Sequence, residues 1–105
     1  MAALPIKVRT SVTELIRQLN ANDLAICQAF VFGSYAKGQQ TEWSDIDVAL
    51  VSAQFQGNSY YDRRKVSPYK IKIDIDLEVH PFRPEDFTED NPFVEEIIKT
   101  GIRIV

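Results

Sequence analysis

The chain has 105 residues, 45% of them apolar and 26% charged, with 12 Lys and Arg set against 15 Asp and Glu for a net charge of −3. That length fits one core, since separate cores usually need about 50–100 residues each, and the composition speaks against disorder. The acidic balance lacks the electrostatic footprint of a general nucleic-acid binder, and apolar runs are far too short for a membrane helix or a secretory signal, so a cytoplasmic protein is expected, with one domain over residues 1–105.

Ser11 followed by Glu14 reads as a capping box, and Val12, Leu15, Ile16 and Leu19 recur at helical spacing, which predicts an amphipathic helix over 11–20. Ile26 to Phe32 is dense in apolar and aromatic residues and stops at Gly33, as a buried strand would, leaving Gly33-Ser34 as a strand-to-helix turn. Ser44 to Ser52 alternates, with Ile46, Val48 and Leu50 on one face and Asp45, Asp47, Ala49 and Val51 on the other. Gln, Gly, Asn and Ser cluster between Ala53 and Tyr61, which marks a loop. Tyr69 to His80 alternates again and predicts a third strand, ended by Pro81. Asn91-Pro92 opens a helix that stops at Gly101, and Ile102 to Val105 can form a short last strand. The sum is an α+β domain: a small mixed sheet whose apolar face is covered by helices.

The chemistry sits on the polar faces of the two alternating strands. Asp45 and Asp47 on one, with Asp74, Asp76 and Glu78 on the other, would repel if the strands were neighbours, so a cation is expected there. The lone Cys27 and lone His80 make neither a disulfide nor a Cys/His zinc site; carboxylates must hold any metal, and Mg²⁺ suits oxygen donors. Taken singly, each acid is more simply the wet face of a strand. Gly33-Ser34 changes the balance, because a glycine ending a buried strand lets backbone approach a phosphate and Ser34 adds a hydroxyl.

Phe32-Gly33-Ser34-Tyr35-Ala36-Lys37-Gly38, then Trp43-Ser44-Asp45-Ile46-Asp47-Val48-Ala49-Leu50-Val51, resembles the signature of the DNA polymerase β-type nucleotidyltransferase superfamily: Gly-Ser, a spacer of about ten residues, Asp-x-Asp. The chain is similar to the minimal nucleotidyltransferases (MNT) of that superfamily, as found in HEPN/MNT pairs. The resemblance implies two Mg²⁺ ions held by Asp45, Asp47 and a third carboxylate from a later strand. Asp76 matches that third position by its spacing to Pro81, with Glu78 as the alternative on the same face and Asp74 a weaker third. It further implies that Gly33 and Ser34 bind the phosphates of ATP or another NTP, with Lys37 a secondary contributor, and that an NMP group, AMP foremost, moves to a hydroxyl of a partner macromolecule.

The usual companion of such proteins is a small helical HEPN-type protein, often an RNase toxin, for which the nucleotidyltransferase is the antitoxin. The acceptor would then be presented by another chain or by the second protomer of an oligomer. Two rivals stand beside this reading: a nucleotidyltransferase fold that neutralises its partner by contact alone, and an aminoglycoside-type transferase acting on a small molecule. His80 is expected as a strand-end residue, Trp43, Tyr60, Tyr61 and Tyr69 as core or rim, and Arg63-Arg64-Lys65 as a solvated basic run.

Overall fold

The computed structural model describes residues 4–105. The first helix, α1, covers Ile6–Ala21 and buries Val8, Val12, Leu15, Ile16 and Leu19. It begins well before the expected capping box, because Val8 continues the same apolar stripe one turn earlier. Ser11 is therefore inside the helix, where its hydroxyl donates to Asp74 Oδ2 at 3.5 Å, and Glu14 pairs with Arg17 rather than with a helix end.

Strand β1 is Gln28–Phe32, the single-turn helix α2 is Ser34–Lys37, and β2 is Ile46–Val51. The next helix, α3, spans Ser59–Ile73, and β3 follows at Leu77–Phe82. Here the expected strand over 69–80 is corrected: its first half is helix. Asp62 and Val66 are buried and Tyr69 and Ile73 pack against the core, a stripe at helical spacing in which one member is an acid. The Ile71, Ile73, Ile75 alternation outweighs that faint stripe in the sequence, yet Ile71 and Ile75 end up exposed. The helix starts at Ser59, inside the expected loop, because the Asn58 side chain accepts from the backbone N–H of Tyr60 and Tyr61.

Helix α4, Pro92–Thr100, forms as expected, with Asn91 accepting from the Phe93 N–H at 2.9 Å. It stops at Gly101, where the chain turns extended and only glycine fits, since a Cβ there would collide with the Ile97 carbonyl oxygen. Strand β4 is Ile102–Arg103.

The sheet order is β3-β2-β1-β4, with β2 and β3 parallel and the other neighbours antiparallel. This is the mixed α+β architecture that the patterning predicts, corrected in one respect: helices lie on both faces of the sheet rather than one, because the apolar stripe of α4 meets the Phe30 and Phe32 side of β1. Helices α1 and α3 cover one face, where Val31, Val48, Leu50, Leu77 and Val79 meet Leu15, Leu19 and Val66. On the other face α4 shields only part of the sheet, packing Ile97 with Phe30, Phe32 and Ala49, and the rest of that face stays open.

Pro81 does not end β3 but lies within it. Asp76 and Phe82 direct their carbonyls to Ile46 and Ser52, so the even-numbered residues of β3 pair with β2 and Pro81 faces the free edge, where its missing N–H costs nothing. On the same edge Arg63 Nε donates to the Val79 carbonyl at 3.2 Å. Among the described residues, no helix is long and apolar enough to cross a membrane.

Candidate active site

The open part of the sheet is built around Asp47. Its ladder partners are Phe32 on β1 and Glu78 on β3, and directly paired residues share a face, so the two carboxylates stand side by side. Two residues beyond Glu78, on the same face, comes His80. Its partner on β2 is Ala49, whose methyl group leaves the imidazole free to lean toward Asp47. Nε2 of His80 lies 3.3 Å from Asp47 Oδ1. The rings of Phe32 and Phe93 flank the imidazole with centroids at 4.9 and 5.9 Å.

One donor atom from each of Asp47, Glu78 and His80 lies within 4.8 Å of the other two, a convergence of His, Cys, Asp or Glu that is the only one among the described residues. All three side chains reach solvent, with Glu78 the most exposed. Two carboxylates held next to an imidazole, on the open part of the sheet, fit the donor chemistry of a divalent cation.

Gly33 closes the other side of Asp47. Its φ of 73° is in the left-handed region, and a Cβ there would collide with Asp47 Oδ2. The turn into α2 is thus laid directly against the carboxylate. Ser34 opens α2, half-buried, and Lys37 at its end sits 3.6 Å from Glu96 Oε1 on α4.

The expected site residues are distributed unevenly. The structure brings together Gly33, Asp47 and Glu78, with Ser34 next in the chain. Asp45 is exposed just before β2 and outside the trio. Asp76 is likewise exposed, in the turn before β3, where its main chain does the visible work: its carbonyl accepts from Ile46 N at 2.8 Å and its N–H donates to Asp74 Oδ1 at 3.0 Å. Asp45 and Asp76 stand one step ahead of the first ladder pair, Ile46↔Leu77. Of the alternatives on the later strand, Glu78 is the one the register sets against Asp47.

Sequence reasoning missed two residues. His80 reads as a strand end, although its i+2 spacing from Glu78 and the alanine across from it are both visible in the chain. Asp62 carries no motif at all. It is buried, and its carboxylate accepts the backbone N–H groups of Gln56, Gly57 and Asn58 at 2.8–3.1 Å, tying the β2–α3 loop to the first turn of α3.

Residues 14–105 match the family Polymerase beta, Nucleotidyltransferase. The chain belongs to this family. Two solved structures share the polymerase β-type nucleotidyltransferase fold. A candidate nucleotidyltransferase from Sulfolobus solfataricus superposes with a TM-score of 0.65 at 17% identity, over 93% of this chain and 79% of that one. A toxin–antitoxin structure with AMP-PNP contains a chain that superposes with the same TM-score, 0.65, at 21% identity, over 92% of this chain and 72% of that one. Among curated proteins, none matches.

Proposed function

We propose that this nucleotidyltransferase-family chain is an active, metal-dependent enzyme that moves an NMP group, AMP from ATP as the leading case, to a hydroxyl on a partner protein. The observation that carries the reading is the wedge at Asp47: one carboxylate oxygen lies against the bare backbone of Gly33, and the other side faces Glu78 and His80. A phosphate chain lying along the Gly33-Ser34 turn would therefore be next to the carboxylates that hold its counter-ion.

Asp47 and Glu78, with Asp45 and Asp76 at the strand ends, would hold divalent ions, which when bound would supply charge neutralisation for the triphosphate and acidify an acceptor hydroxyl. The chain's own contributions are positional. Gly33 keeps the approach to Asp47 clear, the Ser34 hydroxyl donates to a phosphate oxygen, and Lys37 offers a cation at the end of α2 if it leaves Glu96. Together they aim the α-phosphorus at the acceptor oxygen, so that the new P–O bond forms as pyrophosphate departs.

The toxin–antitoxin setting of one structural neighbour, and the AMP-PNP in it, support a protein partner and an adenine nucleotide; a small helical HEPN-type toxin is the partner we infer. Incubation with α-labelled ATP and a divalent salt, alone and with the protein encoded beside it in its genome, tests the reading. Label on the partner, lost in Asp47→Asn, is expected. Partner binding without label transfer would leave a contact-only antitoxin instead.

A further inference from the structure

We propose that His80 Nε2 is a direct ligand of the divalent ion held by Asp47 and Glu78, so that this centre takes a first-row transition ion such as Mn²⁺ in preference to Mg²⁺. The inference rests on the nucleotidyltransferase reading of the same site and names a donor that an oxygen-only site lacks.

Strand alternation delivers His80 to the face of Asp47 and Glu78, and Ala49 opposite leaves it room. The edge-on contacts with Phe32 and Phe93 fix the plane of the ring while Nε2 reaches the Asp47 carboxylate. At 3.3 Å, Nε2 and Asp47 Oδ1 are within long hydrogen-bonding reach in the metal-free protein, so the two donor atoms already converge. Two donors bound cis to one ion through bonds of about 2.1–2.2 Å lie roughly 3.0 Å apart, and trans donors about 4.3 Å apart. The His80–Asp47 pair at 3.3 Å is close to the cis spacing, and the trio, with its donor atoms all within 4.8 Å of one another, needs only a small closing movement to ligate one ion. A mixed nitrogen and oxygen set binds first-row transition ions more tightly than Mg²⁺, which strongly favours oxygen and dehydrates reluctantly.

His80 is the only histidine in the chain, which makes the test unambiguous. Calorimetric titration of the full chain with Mn²⁺ and with Mg²⁺ is paired with pulsed electron paramagnetic resonance of the Mn²⁺-loaded protein, which detects a coordinated imidazole nitrogen. The wild-type chain should show that coupling. His80→Phe, which keeps an aromatic ring against Phe32 and Phe93, should lose the coupling and about ten-fold or more in Mn²⁺ affinity, with Mg²⁺ affinity changed less than about two-fold. If His80→Phe does not fold, the wild-type spectrum alone decides. Mn²⁺ bound in an Asp47-dependent way without nitrogen coupling overturns the role of His80 and leaves the carboxylate centre standing. No Asp47-dependent binding of either ion, with and without ATP, overturns both readings.

Discussion

Gly33 and Asp47 are fitted to each other so closely that residue 33 has no room for even a methyl group: the Cβ would overlap Asp47 Oδ2. Two requirements, the positive φ and the close approach, fall on the same residue. Gly33→Ala should therefore lose about 1–2 kcal/mol of stability and, where it folds, push the Asp47 carboxylate off its position. Thermal unfolding gives the first quantity. Nucleotide transfer, expected to drop by orders of magnitude, gives the second, and full transfer by a folded Gly33→Ala chain would place the phosphates elsewhere.

The ladder sets Glu78, not Asp76, beside Asp47. Glu78→Gln should accordingly weaken divalent-dependent NTP binding more than Asp76→Asn does, by about ten-fold or more. Calorimetry on the two variants compares them directly. The reverse order would mean that Asp76 swings into the site when nucleotide binds.

Asp62 is the most consequential buried charge outside the site. Its oxygens accept from three successive backbone amides, so Asp62→Ala leaves three donors without their acceptor and Asp62→Asn presents an N–H group to at least one of them. Each change should cost about 2–4 kcal/mol in urea unfolding, with Ala no milder than Asn. A loss below about 0.5 kcal/mol would mean that water replaces the carboxylate in the loop.

On the exposed face of α1, the hydrogen bond from Arg17, helped by Gln18, holds the Glu14 carboxyl at about 2. A carboxyl lowered on folding adds stability above its ordinary pKa of 4.5 and loses it as pH falls toward 2. Carboxyl NMR titration should find that low midpoint, and Arg17→Ala should return it toward the ordinary range without disturbing the fold.

Much of this molecule is legible in its residues, and the illegible part has a common cause. β1, β2 and α4 follow from runs and caps whose local preference agrees with their tertiary place. α3 does not, because its buried stripe is carried by Asp62, Val66, Tyr69 and Ile73, and a buried acid looks like a surface residue until its backbone partners are seen. The isoleucines at 71, 73 and 75 then imitate a strand. At the site, the Gly33-Ser34 turn and Asp47 are readable from spacing. Which acid faces Asp47 is not, since Asp76, Glu78 and His80 share one alternation and only the register of β3 against β2 separates them.

The outer rim of β3 carries a further consequence. With Pro81 offering no amide proton and Arg63 donating to the carbonyl of Val79, this border is poorly suited to pairing with the backbone of another strand. Copies of this chain are thereby kept from stacking readily into a continuous ribbon along that border. The same two residues that finish a strand thus also guard its rim against fibril-like pairing.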